Sequence, residues 1–508
     1  MTAPPFRRAA GVLLPLFSMR SSGGWGVGEF RDAGTFSAWM RDAGLSLLQL
    51  LPINEMAPGQ HSPYSALSSA ALDPLFISPD AIEAFARAGG VDALPREARE
   101  ALDAARRAAS VDFDAARAAK RAAFELAWDA SRPGGDEAFA AFREREAYWL
   151  DDYALFRAVA EDGGGDWTAW PQPLRERSPQ GLDDARAMLG ERIHFYSWLQ
   201  WIAASQWAGA RAAAREQGVV VFGDVPFMVD AASADVWARQ QDFMLDATVG
   251  TPPDAFSETG QDWGVPVYRW PGIAAGDFQW LRMRARRAAD LFDGFRVDHL
   301  VGFYRTFVRP RDGEPYFLPA DEAEQIEQGE RIMRLFLETG AAVTAEDLGT
   351  VPDAVRASLA RLGVPGYRIL RWERRWHDEG QPFIDPSAWP ANAVATSGTH
   401  DTEPLAEWWE EAPADDRRML LGDDAPAAFT PAARDALLAA LYRSPSNLLI
   451  LPFQDLFGWR DRINTPATVG DGNWRWALRW PVDRLAEVPE ADTRARELRD
   501  LARETGRL

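Results

Sequence analysis

The segment FDGFRVDHL, residues 292–300, gives the first indication of the fold. Gly294 interrupts a helical pattern, and apolar and charged side chains then alternate, which predicts a short strand ending at Asp298. An aspartate at a strand end can simply cap the following helix. It can also be a catalytic carboxylate that the positive charge of Arg296, two residues earlier, keeps ionised.

Other apolar runs of strand length occur along the whole chain. They cover residues 11–17, 45–51, 218–225, 341–346, 366–372, 391–397 and 447–451. Helical patterns separate most of them, and eight strands alternating with helices predict a (β/α)8 TIM barrel with helical and loop insertions. Most runs lead straight into an acidic or amide group, and such a barrel carries its active site at the carboxyl ends of its strands.

A change of composition divides the chain. Ala, Arg and Glu dominate residues 78–190 at helical spacing, which predicts a mainly helical insertion. Residues 1–77 would then form the first barrel segment with a long substrate loop, and residues 191–508 the remainder of the catalytic barrel with its loop insertions.

Charge and composition exclude several classes of function. The net charge of -21 argues against nucleic acid and anionic membranes as partners, because both require a basic surface. The chain has no cysteine, so disulfides and thiolate chemistry are excluded. No apolar run is long enough to span a membrane, and the N-terminus lacks a convincing signal-peptide cleavage site. We therefore expect a cytoplasmic protein.

Three carboxylates are candidates for catalysis: Asp298, Glu346 and Asp401. Two carboxyl groups that flank a glycosidic bond can divide the work, one attacking the anomeric carbon and the other protonating the leaving oxygen. Asp298 beside an arginine suits the first role, and Glu346 after an apolar strand suits the second. Asp401 would bind sugar hydroxyls and stabilise developing positive charge. His299 and His400 each adjoin one of these acids and are candidate ligand contacts, although a buried structural role is the alternative.

A metal site is the main competing interpretation. Asp224, Asp298 and Glu346 follow successive predicted strands, and carboxylate oxygen is a preferred ligand of Mg²⁺. An isomerase or lyase built this way would need a lysine or histidine base, and no predicted strand ends in lysine. Arg296 would also repel a cation at this position.

The segments FRVDH, AEDLG and GTHD resemble the three catalytic blocks of the amylomaltases, or 4-α-glucanotransferases, of the α-amylase clan, in that family's order. HSPYSA, PPDAFSETGQDWG, LPFQDLFG and the helical segment FREREAYWLDDYALF are also similar to family segments. The resemblance covers nearly the whole chain.

This resemblance implies a retaining transfer of α-1,4-glucan segments between maltooligosaccharides. Asp298 would be the nucleophile, Glu346 the general acid and base, and Asp401 the stabiliser of the distorted sugar. The residues implied to line the donor site are Tyr64, Asp224, Arg296, His299, His400 and Asn464. Ser257, Gln261 and Trp263 would lie on a mobile loop over the cleft. The resemblance implies no cofactor and no metal.

The chain departs from the family pattern at a few positions. Thr402 and Glu403 replace the usual Asn and Asp, and the arginine that usually follows the VDH block is missing. All three acids are kept. The sequence leaves open a hydrolase of the same clan and a catalytically silent glucan-binding protein, and it does not determine the oligomeric state.

Overall fold

A computed structural model describes residues 6–131, 136–253, 260–466, 468, 470 and 472–508. The strands in these ranges are β1 (Ala9–Leu13), β2 (Leu47–Gln49), β3 (Val220–Val225), β4 (Phe243–Thr251), β5 (Gln261–Tyr268), β6 (Gly294–Val297), β7 (Thr306–Pro310), β8 (Tyr316–Leu318), β9 (Ala342–Ala345), β10 (Gly366–Ile369), β11 (Ala393–Thr396) and β12 (Leu448–Pro452).

The helices in the same ranges are α1 (Phe30–Asp42), α2 (Glu83–Arg87), α3 (Arg96–Arg107), α4 (Phe113–Ser131), α5 (Glu137–Gly163), α6 (Gln172–Arg175), α7 (Pro179–Met188), α8 (Gly190–Glu216), α9 (Ala234–Ala238), α10 (Trp270–Ala275), α11 (Gln279–Leu291), α12 (Val301–Tyr304), α13 (Glu322–Leu337), α14 (Asp353–Leu362), α15 (Leu405–Glu411), α16 (Ala414–Leu421), α17 (Pro431–Arg443), α18 (Phe453–Phe457) and α19 (Pro489–Glu504). Within the described ranges, no helix has the length and apolar character needed to cross a bilayer.

Eight strands form one parallel sheet in the order β10-β11-β12-β1-β2-β3-β6-β9. Each coincides with one of the apolar runs in the sequence, because a parallel strand covered on both faces needs apolar side chains on both. Helices α8, α11 and α13 pack against β3, β6 and β9, the strands that they precede. The predicted TIM barrel is therefore confirmed.

The barrel closes between β9 and β10 without a regular ladder. The Ala345 N–H donates to the Pro365 carbonyl at 3.0 Å, and the Tyr367 N–H donates to Oδ1 of Asp347 at 2.7 Å. A β-carbon added to Gly366 would lie 2.4 Å from the Asp347 carboxyl carbon. Only glycine lets this carboxylate lie close enough to join the two strands.

A second sheet, antiparallel and in the order β5-β4-β7-β8, was not predicted from the sequence. Gln261 and Trp263 lie in its edge strand β5, so their assignment to a loop was wrong. β5 contains Gly264 and Pro266, which read as loop residues, and its ladder with β4 has irregular register. An edge strand tolerates both features. Ser257, also predicted for this loop, lies outside the described residues.

The region predicted as a helical insertion holds helices α2–α7 between β2 and β3. The division of the chain at residues 78 and 190 stays a prediction.

Candidate active site

Three neighbouring barrel strands bring the first acids together. Asp224 lies in β3, opposite Arg296 of β6. Asp298 and Glu346 follow β6 and β9 directly, and their backbone N–H groups continue the ladders by donating to Val225 at 3.1 Å and Val297 at 3.0 Å. The two carboxyl groups thus leave adjacent strands at the same end of the barrel, as the sequence predicted.

Arg296 is buried among these acids and contacts each of them. Its Nη1 lies 2.5 Å from Oδ2 of Asp224 and 3.0 Å from Oδ1 of Asp298. Its Nη2 lies 3.0 Å from Oε2 of Glu346. The planar fork of a guanidinium allows this simultaneous pairing. The guanidinium therefore holds the position that the competing magnesium interpretation would give to a metal ion.

The backbone of His299 orients Glu346. Its N–H donates to Oε2 of Glu346 at 2.7 Å, and its φ of 42° lies in the left-handed region, where histidine is tolerated better than most residues. Among the described residues, the second oxygen of Glu346, Oε1, accepts no hydrogen bond. That oxygen is left for a ligand, since Glu346 lines the central cleft.

Asp298 is more easily protonated than the sequence suggested. Burial raises its pKa to about 8, Glu346 and Asp224 add to the rise, and Arg296 opposes it. The expectation that Arg296 keeps Asp298 ionised is therefore wrong for the site without substrate. The reason is that several carboxylates share one guanidinium, so its charge cannot offset both their burial and their mutual repulsion. Asp298 is consequently more readily protonated near neutral pH than an exposed aspartate.

Asp401 has the opposite character. Burial alone would raise its pKa, but His400 and a hydrogen bond from Asn464 outweigh burial and lower the pKa to about 2. Nδ2 of Asn464 donates to Oδ1 at 2.6 Å, and Nε2 of His400 lies 3.2 Å from Oδ2. Asp401 in turn raises the pKa of His400 against the effect of burial. In the structure, the predicted residues His400 and Asn464 therefore both contact Asp401 and favour its ionised form.

Tyr64 links the two groups of acids. Its hydroxyl donates to Oδ2 of Asp224 at 2.8 Å. Its ring stacks on the ring of His400, with centroids 5.2 Å apart and planes inclined by 21°. Tyr64, which lies far away in sequence, therefore supports both Asp224 and the partner of Asp401.

Some of these groups border a cleft of about 600 Å³, a volume typical of ligand sites. Glu346, Asp401, His299, Gln261 and Trp263 all line it. The indole of Trp263 packs edge-on against His299, with ring centroids 4.6 Å apart. The second sheet thus contributes a wall next to the candidate catalytic pair. The other predicted site residues that the structure describes join these through direct contacts: Asp298, Asp224 and Tyr64 through Arg296, and His400 and Asn464 through Asp401.

A family model described as 4-alpha-glucanotransferase matches residues 14–483. The chain belongs to the 4-alpha-glucanotransferase family. It is 33% identical to the 4-alpha-glucanotransferase of Thermus thermophilus over 495 residues, which cover 93% of this chain and 95% of that relative. It is 30% identical to the enzyme of Chlamydia pneumoniae, with 94% and 92% covered.

Solved structures of glucanotransferases agree with this assignment. The amylomaltase from Streptococcus agalactiae in complex with acarbose superposes with a TM-score of 0.84 at 26% identity, over 99% of this chain and 100% of that chain. The amylomaltase from Corynebacterium glutamicum shares the fold, with a TM-score of 0.78 at 24% identity, over 97% and 75% of the two chains. The family and the 4-alpha-glucanotransferase activity predicted from the sequence blocks are confirmed.

The cleft also contains residues that the sequence analysis did not assign to the site. Arg371 and Trp372 follow β10, and Glu403 follows the GTHD segment. Nη1 of Arg371 lies 2.7 Å from Oε2 of Glu403. A signal was available for Arg371 and Trp372, because they come at the end of a predicted barrel strand, where functional residues are expected. The pairing of Arg371 with Glu403 could not be inferred from their spacing in the sequence.

Proposed function

We propose that the protein transfers a segment of an α-1,4-glucan to the 4-hydroxyl of an acceptor glucan or glucose by a retaining double displacement. The observation that supports this most is the pair of carboxyl groups, Asp298 and Glu346, fixed by one guanidinium at adjacent strand ends. Retaining enzymes hold such groups about 5–5.5 Å apart, close enough for a covalent intermediate.

In the first step, an oxygen of Asp298 attacks the anomeric carbon of the donor while the glycosidic bond breaks. Glu346 gives its proton to the departing oxygen, so that the reducing-end segment leaves as a neutral alcohol. In the second step, Glu346 removes the proton from the 4-hydroxyl of the acceptor. That oxygen attacks the anomeric carbon and releases Asp298, which restores the starting state of the enzyme.

The mechanism requires an ionised Asp298 and a proton on Glu346 when a glucan is bound. The Phe227 N–H, 3.3 Å from Oδ2 of Asp298, and Arg296 both donate to the ionised form of Asp298. Glu346 lines the cleft, where a glycosidic oxygen would accept its proton. Substrate binding thus fixes which member of the pair is protonated.

The remaining residues bind and stabilise the sugar. Asp401, with its pKa lowered to about 2, stays ionised and stabilises positive charge on the ring in the transition state. The other proposed donor-site contacts are Tyr64, Asp224, Arg296, His299, His400 and Asn464. Gln261 and Trp263 cover the intermediate and limit access of water. Ser257, which lies outside the described residues, stays a predicted substrate contact. A cytoplasmic location is part of the same proposal.

Incubation with maltotriose tests transfer against hydrolysis. Transfer yields glucose and a ladder of longer maltodextrins, whereas a hydrolase yields glucose and maltose without chain lengthening. A silent glucan-binding protein leaves maltotriose unchanged. Because the glycosyl intermediate requires its nucleophile, Asp298→Asn should lose at least about 10³-fold in transfer rate.

Asp293→Asn is the matched control. Asp293 lies at the opposite end of the same strand, where it pairs with Arg211 at 3.0 Å, remote from the cleft. This variant should still build the ladder. A ladder of near wild-type yield from Asp298→Asn would disprove the nucleophile assignment.

A further inference from the structure

A second cleft adjoins the active cleft. It has a volume of about 650 Å³ and lies beside the loop after β9 and the segment after β10. Leu348, Gly349 and Trp372 line both cavities. Since they are shared, the two cavities are adjacent at these residues.

The second cleft contains an exposed indole. Trp376 is 53% exposed, although tryptophan is on average highly buried. It lies on a hairpin-like segment, residues 373–384, in which the Arg375 N–H donates to the Pro382 carbonyl at 2.9 Å and the Ile384 N–H to the Glu373 carbonyl at 2.8 Å. Backbone hydrogen bonds therefore hold the segment that carries the indole.

Arg374 contacts this segment and anchors it. Its guanidinium carbon lies 3.7 Å from the centroid of the Phe383 ring and 5.9 Å from that of Trp376. Its nitrogens also pair with the carboxylate of Asp416 on α16. The arginine is largely buried, so these contacts tie the Trp376 segment to the body of the protein.

The same cleft also has charged lining residues. Arg356, Arg368 and Glu373 all line it. A flat aromatic face next to groups that donate and accept hydrogen bonds suits a pyranose, which has an apolar face and a rim of hydroxyls. An exposed apolar group rimmed by polar side chains also marks a binding surface in general.

The direction of the chain follows from the chemistry of Glu346. As the proton donor, it must face the leaving oxygen, so the reducing-end segment and the incoming acceptor lie on its side of the scissile bond. Leu348 and Gly349 come two and three residues after Glu346 and form the border of the second cleft. The acceptor side of the active cleft therefore opens toward Trp376.

We propose that the second cleft binds the distal units of a long acceptor glucan, with Trp376 stacking on one of its glucose rings. This inference rests on the proposed function, because it takes Glu346 as the acid that faces the acceptor. It makes Trp376 a determinant of acceptor length.

The test compares two labelled acceptors, glucose and maltohexaose, at a fixed concentration of unlabelled maltoheptaose donor. Trp376→Ala should lower the ratio of kcat/KM for maltohexaose to that for glucose by about three- to tenfold, the range expected for loss of one aromatic contact. Trp376→Phe should restore most of the ratio. Tyr148→Ala is the matched control, since Tyr148 is also an exposed aromatic residue with an arginine, Arg286, 5.2 Å from its ring centroid.

An unchanged ratio in Trp376→Ala, or an equal fall in Tyr148→Ala, overturns the proposal. Calorimetric titration of maltohexaose into Asp298→Asn, with and without Trp376→Ala, separates this outcome from failure of the proposed function. If the wild-type protein performs no transfer but Trp376→Ala still weakens binding, the glucan site stands and the transfer mechanism fails. If binding is equal in both proteins, the site itself is disproved.

Discussion

Replacing Arg296 with methionine removes the cation from the centre of the active site while keeping a side chain of similar length. The wild-type guanidinium lies within 3.0 Å of carboxylate oxygens of Asp224, Asp298 and Glu346. An ion pair with charges about 4 Å apart is worth about 4 kcal/mol at an effective dielectric constant near 20. Removing one partner of a buried pair typically costs about 3–5 kcal/mol in net terms. We expect Arg296→Met to lose that much free energy of unfolding at pH 8.

The cost should depend on pH, and its sign follows from the raised pKa of Asp298. In the folded protein this carboxyl group keeps its proton up to about pH 8, well above the range in which an unfolded aspartate loses it. Because the folded state then binds more protons, its stability falls as the pH rises through this interval. Without Arg296 the pKa rises further. The stability difference between Arg296→Met and wild type should therefore be small at pH 5 and grow toward pH 9.

Urea unfolding at pH 5, 7 and 9 measures this difference, and the maltotriose assay measures activity in parallel. Arg296→Lys keeps a positive charge but cannot fork between Asp298 and Glu346, so we expect it to lose about 10²-fold in activity with less loss of stability. Arg287→Met serves as the control, since Arg287 is buried beside Glu146 at 3.5 Å and away from the active cleft.

The reasoning is refuted if Arg296→Met is as stable as wild type at pH 9, or if its stability loss is the same at all three pH values. Either result would mean that the carboxylates do not depend on the guanidinium for their charge balance. A loss in Arg287→Met with the same pH dependence would show that the effect is not specific to this cluster.

Two further predictions concern the wall of the cleft and the closure of the barrel. Trp263→Ala removes the ring that packs on His299, so water should reach the intermediate more easily. In a timed maltotriose digest, the ratio of glucose released by hydrolysis to transfer product should therefore rise. An unchanged ratio would disprove the shielding role of Trp263. Gly366→Ala forces a β-carbon against Asp347 and should cost about 1–3 kcal/mol in urea unfolding. Gly209→Ala, in a helix with nothing within 4 Å of the added carbon, should instead be neutral or stabilising; equal losses in both variants would contradict the closure argument.

The eight barrel strands were predictable because their signal is local. A strand such as β12 (Leu448–Pro452) is buried along its whole length, and its residues are apolar without alternation. The acids at the ends of β6 and β9 were predictable for the same reason, since position at a strand end already places a residue on the catalytic face.

The second sheet was less predictable. β4 and β5 pair across residues 254–259, and their side chains do not alternate cleanly because the ladder is irregular. What makes them strands is their pairing with each other and the pairing of β4 with β7, which lies more than fifty residues after β4. At an edge strand, the intrinsic β-propensity of the residues is weak evidence for a strand, and long-range pairing overrides it.

The sequence alone determined the barrel, the identity of the acids and the family, because each depends on residue type at a position within a short segment. Only the tertiary structure decided how those acids share charge. Asp224, Asp298 and Glu346 come from separate strands but contact one buried arginine, and burial with mutual repulsion raises the pKa of Asp298. The raised pKa of Asp298 depends on interatomic distances and on burial. Residues far apart in the chain contribute to both, so no single segment of the sequence predicts it.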